Sequence, residues 1–259
     1  MFEAKLAEAL VLKKIIDAIK DLVTDVNIDA TPQGLSLQAM DSSHVALVSL
    51  TLGQNGFEYY RADRAMTLGV SITNLSKVLK LAGNDDKIIL RADEEASSLQ
   101  IVFENRRQEK KTEFSLNLIT LDSEHLGIPE TTYTSEISMN SFDFTKLCRE
   151  LHQLSETVTI EASLAYVKFS IDGEVGSGTI EIQTNDNPAA RTGDASGKFD
   201  KVSLSFALRY LNMFNKASTL CNYVKLMLAA ETPLVVEYEI ETLGTLKYYL
   251  APKINEDAQ

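Results

Sequence analysis

The second half of this chain repeats the first, and no other feature of the sequence restricts its fold as much. Residues 12–31 (LKKIIDAIKDLVTDVNIDAT) align without a gap on residues 144–163 (FTKLCRELHQLSETVTIEAS), at an offset of 132 positions. Ile15, Ile19 and Leu22 fall on Leu147, Leu151 and Leu154, and the register runs on to set Leu35 and Leu37 against Val167 and Phe169. A second helical run recurs later in each half, residues 75–80 against 211–216. A period of about half the chain is too long for a solenoid of short repeats. It implies two similar domains in one polypeptide, and such a pair points to a symmetric object.

Each half reads as many short strands with two helices. Alternating apolar residues predict strands near 34–38, 45–52, 65–70, 87–92, 98–104, 111–116, 167–171, 178–184, 201–205, 224–229, 233–238 and 246–250. Helical spacing predicts 8–21, 73–82, 141–154 and 208–217, with Asn140-Ser141 supplying the N-cap of the third. The class is α+β, helices laid on antiparallel sheets. The expected division is a first domain over 1–117, a connecting loop over 118–134 and a second domain over 135–259. The connecting stretch contains Gly127-Ile128-Pro129 and is unusually apolar for a linker, whereas 184–200 has loop composition.

Charge separates the helices from the rest. The chain carries 25 basic and 37 acidic residues, a net −12. Yet the helical segments hold Lys13, Lys14, Lys20, Lys77, Lys80, Lys146, Arg149, Arg209 and Lys216, which outnumber the acids Asp17, Asp21, Asp143 and Glu150. A basic face on an acidic body is the footprint of phosphate-backbone contact, with stray nucleic acid repelled elsewhere. With no aromatic residue expected among these cations, a duplex held through phosphates is favoured over stacking on single strands.

Motifs for catalysis are lacking. His44, His125 and His152 form no metal-ligand spacing, and Cys148 and Cys221 form no CxxC. Residues 193–199 imitate a phosphate loop but have three residues between the glycines and Phe199 where a hydroxyl belongs. Asp41-Ser42-Ser43-His44 is expected to be a capped turn, and Cys148 a packed helix residue. The acid clusters at 85–86 and 93–95 read as turns. No run approaches a membrane span, and the first ten residues lack the features of a secretory signal.

Several runs spread over the chain carry a resemblance: 1–6 (MFEAKL), 37–45 (LQAMDSSHV), 126–130 (LGIPE), 206–211 (FALRYL), 233–238 (PLVVEY) and 246–254 (LKYYLAPKI). On these the chain resembles the proliferating cell nuclear antigen family, the eukaryotic DNA sliding clamps. The resemblance implies a DNA-clamp fold assembled as a ring-shaped homotrimer, with helices lining a hole for double-stranded DNA and sheets outside. It implies no enzymatic activity, no metal and no cofactor, and a nuclear location. The nine helix cations would face DNA. A groove for clamp-interacting peptides of polymerases, clamp loader, nucleases and ligases would involve Met40, His44, Val45, Leu126, Gly127, Ile128, Pro129, Tyr133, Pro233, Tyr249, Ala251, Pro252, Lys253 and Ile254. Strand 109–117 of one subunit would pair with 175–183 of the next, placing Phe114, Leu116, Leu151, Leu154, Ile180 and Ile182 at the trimer interface. The turn at 162–166 (ASLAY) departs from the family in lacking its modifiable lysine; the next lysine is Lys168. A subunit of a heterotrimeric checkpoint clamp is the nearest alternative, and a β-rich hydrolase or transferase with basic helices the next.

Overall fold

The computed structural model describes residues 1–94, 97–105, 107, 109–122, 127–128, 131–163, 166–183 and 201–253. Two compact units emerge: Met1–Gly127 with Glu239–Leu246, and Ile128–Tyr238 with Lys247–Gln259. The expected linker therefore divides near its middle, its first part grouping with the first unit.

The first half runs β1 (Phe2–Leu6), α1 (Ala9–Ile19), β2 (Asp25–Thr31), β3 (Gly34–Met40), β4 (Ala46–Gly53), β5 (Tyr59–Ala62), β6 (Met66–Ser71), α2 (Ile72–Leu79), β7 (Lys87–Ala92), β8 (Ser98–Glu104) and β9 (Lys111–Asn117). The second runs β10 (Ser135–Asn140), α3 (Ser141–His152), β11 (Thr157–Ala162), β12 (Tyr166–Gly173), β13 (Gly176–Gln183), β14 (Val202–Ala207), α4 (Leu208–Phe214), β15 (Tyr223–Leu228), β16 (Leu234–Ile240) and β17 (Gly244–Leu250). Apart from β5, the two orders are the same. So are the pairings: β4-β3-β2-β6 corresponds to β13-β12-β11-β14, and β1-β7-β8-β9 to β10-β15-β16-β17. The offset of 132 that aligns α1 with α3 also matches β2 to β11 and β3 to β12.

Helix spacing explains the packing. Leu12, Ile15, Ile16 and Ile19 are buried on one face of α1, and Phe144, Leu147, Cys148 and Leu151 on the matching face of α3. Asn140 caps α3 as expected, its Oδ1 accepting the N–H groups of Phe142 (2.9 Å) and Asp143 (3.2 Å). Ser71 Oγ accepts from Asn74 N–H at 3.5 Å at the start of α2. α1 has no side-chain cap. Its first amides are instead satisfied by the loop after α2, Ala9 N–H donating to Asp86 O (2.7 Å) and Leu10 N–H to Asn84 O (3.2 Å). The second unit repeats the device with Ser141 N–H on Asn222 O at 2.9 Å.

Five strands, β1, β2, β5, β10 and β11, lie outside the expected set. In β1, Phe2, Ala4 and Leu6 do alternate with Glu3 and Lys5, but the run is short and leads straight into a helix. β5 owes its place to pairing with β1, not to a pattern of its own. The expected helix over 208–217 ends at Phe214 and tightens into a 3₁₀ turn over Asn215–Thr219.

Among the described residues of the second unit, one carboxylate is buried. Glu237 on β16 is held by Lys247 Nζ at 2.7 Å and Lys225 Nζ at 3.4 Å. Burial raises its pKa, but the Lys247 hydrogen bond and the two lysine charges outweigh that and leave it below the ordinary value of 4.5. A depressed folded-state pKa gives stability present above the unfolded value and lost as pH falls through the folded one. Glu237→Gln should therefore lower the thermal midpoint at neutral pH and shrink the difference between pH 7 and the acid limb. Melting curves across that range check it; a variant with the full wild-type acid dependence would show that Glu237 contributes none of it.

Candidate nucleic-acid interface

The helix cations divide into those used within the fold and those on its surface. Lys13 reaches from α1 to the turn after α2, donating to Ala82 O (2.5 Å) and Asn84 Oδ1 (3.3 Å). It stitches the two helices together, a structural task that an outward-facing reading of the sequence overlooks. Lys20 donates to Asp17 Oδ1 at 2.7 Å, which neutralises part of its charge. Lys14 is half-buried, while Lys77 and Lys80 are exposed on α2. In the second unit, Lys146, Arg149, Arg209 and Lys216 are all exposed. Lys146 lies 3.9 Å from Glu150, an exposed pair of little strength. The Arg209 guanidinium lies 4.8 Å from the Tyr210 ring centroid, a cation–π contact of modest strength.

One correction concerns aromatics. Phe142, in the first turn of α3, is 72% exposed and precedes Lys146 by four residues, so an aromatic does stand among the helix cations. Its spacing from Lys146 is a readable signal; the flanking Ser141 and Asp143 obscure it.

The turn between β3 and β4 is built around Asp41. Its buried carboxylate accepts three backbone N–H groups, from Val45 and Ala46 on Oδ1 (2.8 Å each) and Ser43 on Oδ2 (3.1 Å). His44 takes a positive φ of 56° there and is exposed to solvent. Asp41 is thus a capping group, as the sequence suggested, and its carboxylate holds backbone amides. The turn presents Val45 half-buried beside His44, with Met40 half-buried at the end of β3.

After β9 the chain is pinned to the first unit, Leu118 N–H donating to Ser97 O and Ile119 N–H to Gly69 O, both at 2.9 Å. A Cβ at Gly69 would overlap Ile119 O, so glycine permits that approach. After β17 the second unit does the same: Lys253 N–H donates to Ser205 O at 2.8 Å, and Lys253 Nζ to Thr157 Oγ1. Other second-unit residues assigned to peptide capture vary in exposure. Ile128, Tyr133, Tyr249, Ala251 and Pro252 are half-buried and Pro233 is exposed. Burial raises the hydroxyl pKa of both Tyr133 and Tyr249, with mutual proximity adding to the first. Gly127 is exposed in the first unit. Leu126, Pro129 and Ile254 lie outside the described residues, as do the 184–200 loop with its phosphate-loop imitation, His125 and Leu164.

β9 and β13 each end a sheet. Phe114, Leu154 and Ile180 are exposed and Ile182 is half-buried. Leu116 and Leu151 are only 6% and 4% exposed. They belong to the cores beneath those surfaces.

Among the described residues no group of three or more His, Cys, Asp and Glu could hold a metal ion, and no helix is long and apolar enough to cross a membrane. Cys148 is buried, and desolvation pushes its thiol up to about 12, so it is an inert packing residue at neutral pH.

These two units, with repeated sheets and paired helices, each match a known family domain. Residues 1–125 match the family described as proliferating cell nuclear antigen, N-terminal domain, and residues 127–253 match proliferating cell nuclear antigen, C-terminal domain. Since the two matches span nearly the whole length with the duplication in register, the chain belongs to the proliferating cell nuclear antigen family of DNA sliding clamps.

Proposed function

We propose that this protein is the replication clamp itself: a homotrimeric, non-enzymatic processivity factor of the nucleus that encircles duplex DNA and recruits polymerases and other DNA-processing proteins. One observation carries the reading, a mismatch within the internal repeat. In the first unit, the outer edge of β4 is covered by the chain entering β17, with Gly53 N–H donating to Leu243 O at 2.8 Å and Gly244 lying against Thr51 O. β13 is the counterpart of β4, and β9 that of β17, yet each of them ends its sheet. Every residue of β13 except Ile182 is exposed, and Val175 at its hairpin tip is 80% exposed. Long uncovered edges invite pairing. A second copy that laid its β9 on this β13 would complete the repeat, and its own β13 would remain open for a third. Such a heterologous contact closes into a ring when the rotation permits.

Within that ring the exposed cations of α2, α3 and α4 would meet phosphates. Lysine dominates, and a point-charge ammonium holds phosphate without arginine's bidentate grip, which suits a protein that slides. Partner capture rests on the Asp41-organised turn of the first unit, with Met40 and Val45 half-buried on either side of it. A heterotrimeric checkpoint clamp would share the fold but would need two different neighbours.

Light scattering on the purified chain tests the assembly. A homotrimer is expected, and Ile180→Asp or Phe114→Ala should shift it towards monomer at dilute concentration with secondary structure retained. Two intact trimers, or a wild-type monomer, would defeat the reading. Neutralising Lys77, Lys80, Lys146 and Arg149 should flatten the salt dependence of DNA affinity, by about 0.9 in log–log slope for each phosphate the variant no longer neutralises. An unchanged slope would place the DNA elsewhere. Asp41→Ala leaves three amides without their acceptor, so it should destabilise the turn by about 1–3 kcal/mol. Calorimetry should then find a clamp-interacting peptide bound at least roughly tenfold more weakly, with the trimer intact; wild-type affinity would remove this turn from the capture surface.

A further inference from the structure

Phe142 and Tyr223 are two large side chains left in solvent, at 72% and 64% exposure, at one end of the helix pair formed by α3 and α4. Tyr223 opens β15 directly opposite Asn140 in the β10–β15 ladder. The Asn140 carboxamide in turn accepts the Phe142 N–H at 2.9 Å. Between them Ser141 is locked twice, its N–H on Asn222 O (2.9 Å) and its Oγ on Cys221 O (2.7 Å). Both rings therefore stand on a backbone bonded into a ladder and a capped helix start. Two rings exposed on neighbouring, fixed backbone make an apolar patch at one end of the helix pair, the kind of surface that marks a binding site.

Charge identifies what covers them. At about 100° per residue, Phe142, Lys146, Arg149 and Gln153 fall within a stripe about 60° wide along α3, and all four are exposed. Asp143 and Glu150 lie to one side, about 80–100° round the helix from Phe142. The stripe itself contains no acid. The Phe142 ring thus continues the row of cations proposed above to meet phosphates, about 10 Å along the axis from Arg149. A polyanion following that row reaches the aromatic end. The first unit lacks this feature: the counterpart of Phe142 is Leu10, half-buried, and that of Tyr223 is Lys87, whose Nζ lies 2.9 Å from Glu58.

We propose that Phe142 and Tyr223 form an apolar contact with duplex DNA, resting on sugar and groove edges beside the phosphates that Lys146 and Arg149 hold. The proposal rests on the reading of the helix face as the DNA-facing surface. It adds a second kind of contact with a different physical signature. Cations bound to phosphate release counterions, so their share of the affinity falls log-linearly with salt. A ring against deoxyribose releases none, and its share is the same at every salt concentration.

Fluorescence anisotropy of the full-length protein with a labelled blunt duplex, across a salt series, separates the two. The double variant Phe142→Ala, Tyr223→Ala should bind roughly three- to tenfold more weakly at every salt concentration, giving a line parallel to wild type. Lys146→Ala with Arg149→Ala should instead reduce the slope. Both rings face solvent, so their removal leaves the fold in place. Unchanged duplex affinity, the result expected if the rings dock a protein, would overturn the proposal. So would a weakening that vanishes at high salt, or one confined to a single-stranded oligonucleotide. A wild-type slope in the cation variant would overturn the helix-face reading beneath it.

Discussion

The helix pairs depend on how their first amides are satisfied. A helix start leaves N–H groups with no partner in the helix, and burying them unpaired is costly. Here each pair solves the problem through its neighbour: the loop after α2 accepts from Ala9 and Leu10, and the loop after α4 accepts from Ser141. That bond ties the beginning of one helix to the end of the other, so the two lie side by side with one set of ends in common. Everything on the outer surface of the pair inherits this alignment. Lys13 reinforces it by reaching Ala82 and Asn84, and Ser141 Oγ does so on Cys221 O. A row of cations can stay in register over two helices only because their ends are fixed in this way.

Electrostatics then act on a rigid frame. The net charge of −12 is distributed so that several carboxylates outside the helices are engaged in holding strands. Glu58 bridges Lys5 and Lys87, Glu161 meets Tyr166 and Lys201, and Glu237 sits between two lysines. Pairs exposed at the surface contribute little to stability, but the buried one at Glu237 must be kept paired or left neutral. Several sheet lysines are therefore committed to carboxylates, while Lys77, Lys80 and Arg149 stand exposed on the helices. The contrast in basic character between helices and sheets, visible in the residue count, is sharpened by which cations the fold consumes.

Much of this is legible in the residues alone. The offset that matches Leu12–Thr31 by sequence to its second-half counterpart is the offset that matches α1 to α3 and β2 to β11, because a shared burial pattern is what the repeat preserves. The strands 87–92 and 98–104 are bounded correctly, since their apolar positions fill a core face and turn residues flank them. Contacts distant in sequence are not legible. Lys13 looks like any outward lysine until Ala82 and Asn84 are placed beside it. Phe142 escapes notice for the opposite reason: a phenylalanine in a helix is usually assumed to be buried, and only its exposure shows otherwise.

The repeat also shows where the two halves have stopped being equivalent. Positions that build the helix-pair knot, the β-ladders and the chain's return to Gly69 and Ser205 use the same backbone bonds in both units, although the side chains differ. The divergence lies at surfaces. The edge of β4 is covered, whereas among the described residues β13 ends its sheet. Lys87 is tied to Glu58 where Tyr223 stands open, and the Asp41-capped turn of the first half corresponds to an exposed hairpin carrying Val175 in the second. A duplicated fold needs both copies to satisfy the same internal bonds, but it needs their surfaces to differ if one copy is to offer what another receives. Identical surfaces would leave the chain with two equivalent edges and no direction. The differences are what would let a single polypeptide assemble head to tail.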